Sequence, residues 1–473
     1  MAIQADANRK RLSRVRQSVV GTHPLIIVSG PAVIHSMAAA DNSINRTGGS
    51  YITDGFVAGQ RITVIGFATA ANNKTFTIIS VVALKMVLEG HTVVTEAAGP
   101  SVTITANKLE RYRYVSESLH QETGTVTSAE IRDDRNIADI IRTSVNAPGE
   151  VAIEVSAGAF DEEFKAALQS AGWSLYILKP AAITISAASG DNSFNDSATG
   201  FVTAGFVVNQ WIEVRGFTNP ANNGYFKIVS VTAAKIVVKG GTLVTEGAGP
   251  SVTVEQMEYI TTGTVQRYYS LEGQLTDIAG EFQRWLDEVI GTLNLTIPTD
   301  GILTGSIGYS GKTETSAAVT LGDGADIPAR TEPIMNSIDD VFAVREKDAP
   351  YDITGLTFNL TNNLRSRPQV ATLGAISQGS GSIGITGTHT AYYATKVVMD
   401  RYLGFTETEI AVVLEDPNGN GYILDVPALK YTSGQRVAGG INTDIIADMA
   451  WTAKMHATEN IMARLVRIGD KAA

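Results

Sequence analysis

Apolar and polar residues alternate in short runs along most of this chain, and one such run is written twice. Asp54 to Phe67 reads DGFVAGQRITVIGF and Ala204 to Phe217 reads AGFVVNQWIEVRGF. Ile62 and Val64 flank Thr63, and Ile212 and Val214 alternate with Glu213 and Arg215, the period-two pattern of half-buried strands. The likeness extends without a gap from Asp41–Ile104 onto Asp191–Val254, with about half the positions identical. Between strands stand Ala71 to Asn73 and Ala221 to Gly224, then EAAGPSV and EGAGPSV. Asn and Gly tolerate positive φ, so these segments predict hairpin turns. Each copy is expected to be a self-contained unit of five or so short strands, a small sandwich or barrel.

The flanking sequence is less regular. EVAIEVS alternates as a strand, and AFDEEFKAALQSAGW predicts a helix, with Asp161, Glu162 and Glu163 in its first turn and Gly172 as its stop. TVQRYYSLEGQL predicts a strand. EFQRWLDEVIGTLN places Phe282, Trp285, Val289 and Leu293 at helical spacing and predicts a second helix. GILTGSIGYSG, ITGLTFNLTNNLR, EIAVVLEDPNGNGYILDVPALKY and IIADMAWTAKM predict a strand, a strand, a hairpin and a strand, and GSIGITGTHTAYYATKVVMDRYLGF a strand followed by a helix. The expected fold is mainly β: a β-sandwich or barrel with a few short helices, made of residues 1–29, 106–179 and 256–473. Two homologous all-β units, 30–105 and 180–255, interrupt it. Insertion of this kind is tolerated where the ends of the guest meet at an exposed loop of the host.

Composition narrows the function. Of 473 residues 44% are hydrophobic and 18% charged, which suits a folded chain. The net charge of −11 weighs against general binding of nucleic acid phosphates, and the basic run Arg9, Lys10, Arg11, Arg14 and Arg16 is expected to be a solvated or partner-facing arm. The absence of cysteine excludes disulfides, thiolate metal sites and cysteine nucleophiles. Pro24, Gly30 and Pro31 interrupt the one apolar run resembling a signal peptide, so a soluble protein without general export is expected.

No catalytic constellation emerges. Gly305 to Thr313 approaches a phosphate-binding loop, but its first Gly is one residue too far from Gly311-Lys312-Thr313. Asp416 to Gly421 matches the start of a calcium loop whose twelfth position is Pro427, and a hairpin turn explains it better. His23, His35, His91, His120, His389 and His456 form no ligand-spaced cluster and read as surface or half-buried residues, while Asp133-Asp134 and Glu162-Glu163 read as a solvated loop and a helix start. No enzyme activity, cofactor or metal is expected. The charge-dense stretch Ser128 to Asp139 is the candidate inter-subunit loop: Glu130, Arg132, Asp133, Asp134 and Arg135 alternate in sign, as suits self-complementary ion pairs between copies of one subunit.

The ordered series RLSRVRQSVVGT, SAEIRDDRNIADIIR, GEVAIEVSAGAFDEEFKAAL, GTLNLTIPTDGILTGSIGYSGK, ITGLTFNLTNNLR and GITGTHTAYY resembles the tail tube (major tail) proteins of long-tailed, non-contractile bacteriophages. The resemblance implies subunits assembling six to a ring, rings stacked into a tube, and phage DNA passing through the lumen without specific binding. It also implies contacts with tape measure, tail terminator and distal tail proteins, no membrane insertion, assembly in the host cytoplasm and residence in the virion tail. The plainest tube proteins lack the repeated units. A compact unit of this size has a radius of gyration of roughly 11 Å, too bulky for twelve to share a lumen with duplex DNA, so both are expected on the outer wall. Differences between the copies, such as Arg61 against Trp211 and Thr63 against Glu213, are expected mostly at the surface. Three other readings remain: an exported adhesive protein whose units bind glycan, for which Trp211 is the only tryptophan in either copy; an enzyme with accessory β units; and the tube of a contractile injection device.

Overall fold

The computed structural model describes residues 9–30, 33–89, 93–99, 101–322, 326–438 and 440–469. His91, and Pro100 in the first copy's second turn, lie outside them. The chain is mainly β, 49% strand and 6% helix. Among the described residues eighteen strands form one branched, continuous sheet, and each sequence copy builds a sheet and a core of its own.

The main sheet is organised around the strand Phe282–Ile297, which pairs with Tyr269–Leu275, Thr304–Gly311, Thr313–Ala317 and Gly355–Thr361. This is the segment whose apolar spacing predicts a helix, and two extra residues explain the difference. Tyr269 pairs with Glu288 but Leu271 with Trp285, leaving an additional residue near Asp287, whose φ is +62°. Ile290 pairs with Tyr309 and Thr292 with Gly308, so Gly291 is unmatched. Each bulge shifts the in-out alternation by one residue, so that Trp285, Ile290, Leu293 and Ile297 are the residues of this strand buried in the main core, at uneven spacing.

The helix Asp161–Ala167 forms as expected, but it stops earlier than Gly172, with Gln169 taking the left-handed conformation (φ +49°). Phe160 and Phe164 enter the main core, Phe164 meeting Tyr422 edge to face at 5.4 Å. Glu162 and Glu163 stand in its first turn as expected, and both are buried. The expected basic arm is also structural. Lys10–Arg16 is a strand paired along its whole length with Tyr269–Leu275, and Arg14 is buried, with Glu163 at 2.7 Å and Glu110 at 3.2 Å.

One buried acid lacks a counter-charge. Glu288 is fully buried, and neither carboxyl oxygen has a hydrogen-bond partner among the described residues. Burial, reinforced by Asp287, pushes its pKa well above the ordinary carboxylate range. Unfolded, the group ionises near pH 4.3; folded, it keeps its proton to higher pH. The folded state therefore binds more protons over that interval, and stability falls as pH rises. Glu288→Gln is expected to flatten the decline in stability to urea between about pH 5 and pH 8, by about 1.4 kcal/mol for every tenfold difference in proton affinity between the folded and unfolded carboxyl. Parallel profiles for variant and parent would contradict the assignment.

The copies are more strand-rich than five strands each: among the described residues eight in the first, spanning Ile27 to Ala106, and seven in the second, spanning Ile177 to Gln256. Equivalent residues fill both cores, including Phe56 and Phe206, Ile62 and Ile212, and Phe76 and Phe226. The turns of Ala70–Asn72 and Pro220–Asn222 are 3₁₀ rather than positive-φ hairpins at the asparagines. Asn73 instead clasps Phe67 through both side-chain atoms, accepting from its N–H at 2.8 Å and donating to its carbonyl at 2.7 Å. Asn223 holds Phe217 in the same way. Glu96 accepts from the Ala68 and Thr69 amides and from the Asn72 side chain, and Glu246 does likewise with Thr218, Asn219 and Asn222.

Positive φ falls on the shared glycines, +103° at Gly66 and +106° at Gly216. A Cβ there would lie 2.2 Å from the Ser101 carbonyl oxygen or 2.1 Å from that of Ser251. Gly216→Ala is expected to cost about 2 kcal/mol in chemical denaturation, from left-handed strain plus a backbone clash; a loss indistinguishable from zero would contradict it.

His35 is neither at the surface nor half-buried, the positions expected of the histidines. It is fully buried, with Nδ1 2.7 Å from the Tyr51 hydroxyl and Nε2 3.3 Å from that of Ser29. The second copy replaces this pair with Ile185 and Phe201, an apolar solution to the same packing. His389 is buried as well.

Candidate assembly surfaces

The long strand Ile140–Glu154 belongs to two environments. From Val145 onward its alternate residues Val145, Ala147, Val151 and Ile153 enter the core. Its first five residues instead pair with Gly124–Thr127 of the strand Glu122–Thr127 in an exposed antiparallel arm. β-branched residues at Thr123, Thr125, Val126, Thr127, Ile140 and Ile141 suit an extended backbone. Among the described residues Val126, Ile140 and Ile141 are all exposed.

The candidate loop Glu130, Arg132, Asp133, Asp134 and Arg135 is the tip of this arm, and residues 129–139 are exposed throughout. The Ser128 amide donates to the Asp139 carbonyl and closes the loop. Arg132 binds Asp134 bidentately, Nε at 2.9 Å and Nη2 at 2.8 Å, and these bonds hold the Asp134 carboxyl well below its ordinary pKa. Arg132 and Asp134 thus satisfy each other inside one chain. Glu130, Asp133 and Arg135 make no ion pair among the described residues, and Ile131 is 98% exposed beside them.

Two further hairpins project in the same manner, neither singled out by sequence. Gly421–Ala438 and Ile445–Ala453 pair past the core to a tip with Ile441 at 92% exposure. Arg365–Pro368 and Ala375–Gly379 form a separate two-stranded hairpin with Val370 at 94%. Among the described residues these hairpins and the arm each carry apolar side chains left exposed at the tip.

The near-miss motifs resolve as structure. Gly305 to Gly311 runs through the strand Thr304–Gly311, not a phosphate loop. Asp416 caps the expected hairpin turn, accepting from the Asn418 and Asn420 amides at 2.8 and 2.9 Å. Among the described residues no group of three or more His, Cys, Asp or Glu could hold a metal ion, and no helix is long and apolar enough to cross a membrane.

The sequence profile of the family described as phage tail tube protein matches residues 7–453. The chain belongs to the phage tail tube protein family. No curated protein matches it at a significant level. Among solved structures, phage phi92 endosialidase is similar at 8% identity, over 95% of this chain and 70% of that one, with a TM-score of 0.15, a likeness that carries no argument.

Within this tail tube chain the two copies meet the main sheet differently, through positions expected at the surface. Trp211, 3% exposed, packs with Tyr225, Met257, Val413, Ile423 and Val466, and donates through Nε1 to Asp425 at 3.1 Å. Asp425 also holds Lys227 and Arg464, at 3.0 and 2.8 Å. Burial raises the Asp425 pKa, but Lys227 and Arg464 outweigh it and leave the group ionised below its ordinary range. Glu213 is buried too. In the first copy the equivalent of Trp211 is Arg61, which pairs with Glu110, while Glu89 reaches Lys165 at 3.1 Å and accepts from the Trp173 amide at 2.7 Å. A cavity of about 270 Å³ lies along this seam, walled by Arg14, Arg61, Glu110, Glu162, Lys165 and Arg467. These groups are tied to one another or to neighbouring acids across it, forming a polar joint. Trp211, spent in this way, offers no platform to a glycan.

Proposed function

We propose that the chain closes into six-membered rings which stack into the tail tube of a long, non-contractile phage, forming the conduit through which DNA enters the host. The supporting observation is the set of apolar side chains, Ile131, Ile137, Ile140, Ile141 and Ile441 among them, exposed on β hairpins that extend beyond the core. Exposed strand edges invite pairing with another chain, and a closed ring removes them. A net charge of −11 fits a lumen to which DNA does not adhere. Residues 30–105 and 180–255 are inserted units on the outer wall, and tape measure, terminator and distal tail proteins are the further partners. Negative-stain microscopy of the purified chain, with sedimentation, tests this: rings or tubes with a central hole are expected, and a strictly monomeric species at assembly concentrations contradicts it.

A further inference from the structure

The arm tip carries an unbalanced charge. Between Ser128 and Asp139 four carboxylates, Glu130, Asp133, Asp134 and Asp139, accompany two guanidiniums, Arg132 and Arg135, so the loop is net −2. Arg132 and Asp134 are consumed by each other. What remains outward is acidic and carries Ile131 and Ile137, both exposed. A second arm tip, equally acidic, would repel it, so the partner surface must be basic with apolar neighbours.

The hairpin of Arg365–Pro368 and Ala375–Gly379 has that character. Arg365 and Arg367 are two residues apart on one strand and so share a face. Both are exposed, neither makes an ion pair among the described residues, and no acid occurs between Asn363 and Ile383. Val370, Leu373 and Ile376 stand exposed on the same hairpin. It sits at the base of the arm, where a Cβ on Gly374 would lie 3.1 Å from the Val145 carbonyl oxygen. The five arm residues before Val145 reach about 17 Å beyond that base, at roughly 3.3 Å each. A chain's own tip therefore lies about that far beyond the point where its own hairpin meets the arm, and is left free for a neighbour. In a ring of more than two subunits, contacts are head to tail and join two different surfaces; an acidic tip and a basic hairpin are such a pair.

We propose that the arm tip of one subunit docks on the Arg365/Arg367 hairpin of the next, Glu130 and Asp133 facing the two arginines and Ile131 covering Val370. This rests on the tube reading above. A nucleic acid is the weaker occupant, because two arginines neutralise two phosphates and leave the apolar neighbours without a role.

Full-length chains test it by charge reversal. Arg365→Glu with Arg367→Glu, and separately Glu130→Arg with Asp133→Arg, are each expected to lower tube yield about tenfold at physiological salt while leaving thermal unfolding of the free subunit unchanged. The four changes combined should restore tubes. Because the chain has no cysteine, Asp133→Cys with Arg367→Cys should also give chain-to-chain disulfides in tubes alone. Unaltered assembly by either reversed pair, or absence of both rescue and cross-link, overturns the docking while tubes still form and the tube reading stands. Loss of duplex DNA retention in Arg365→Glu, Arg367→Glu tubes of normal yield overturns it in favour of nucleic acid. A parent chain that never forms rings overturns both.

Discussion

Replacing Trp211 with alanine is expected to cost about 3–5 kcal/mol of stability, the range for removing a buried aromatic. The indole fills the joint between the second copy and the main sheet, and its N–H is one of the bonds on Asp425. Its loss opens a cavity against Tyr225, Met257 and Val413 and takes a donor from a carboxylate that must already balance Lys227 and Arg464. Arg345, whose guanidinium lies over the indole at 5.5 Å, loses its platform as well. Hydrogen exchange should locate the damage: amides of Trp211–Arg215 and Gly224–Val231 should lose protection while those of the first copy keep it. Loss spread evenly over both copies, or a cost below about 1 kcal/mol, would show that the joint does not depend on this side chain.

The second large effect is expected at the other joint. Lys165 is buried between Glu162 at 2.8 Å and Glu89 at 3.1 Å. Burial pushes the Glu162 pKa up, but Lys165 foremost, with Arg16, Arg61 and Arg267, holds it well below the ordinary range. Lys165→Ala leaves two buried carboxylates short of their nearest cation, at a cost of about 3–5 kcal/mol near neutral pH. The parent's contribution from Glu162, with its lowered pKa, is present above the unfolded value near 4.3 and is lost as pH falls. In the variant the same carboxyl is relieved by taking up a proton. The gap between parent and variant should therefore narrow as urea unfolding is repeated from pH 7 toward pH 4, and a gap that widens would contradict the assignment.

The two joints explain what was legible in sequence. The repeat was plain because the residues filling and turning each small sheet, such as Phe56, Ile62, Gly66 and Asn73, are those the copies share. Where the copies differ the reading reached too far. Trp211 and Glu213 look like surface drift beside Arg61 and Thr63, and only the fold shows them buried, with Trp211 set against strands more than 200 residues distant. Local pattern gave the helix at Asp161, where nothing interrupts the period, and failed at Phe282–Ile297, where the bulges near Asp287 and Gly291 reset it. The arm loop stands out by its charges, but signs alone do not show that Arg132 and Asp134 neutralise each other within the loop. The Arg365 hairpin carries too little local signal to stand out, and gains meaning only from its place beside Val145.

Electron cryomicroscopy of the assembled protein tests most directly whether this chain forms a hollow tube with its two repeated units outside. The expected map shows stacked six-fold rings around an open channel, with the sheets of Ile27 to Ala106 and Ile177 to Gln256 on the outer wall. Density for either sheet inside the channel, or particles with no channel, would contradict it.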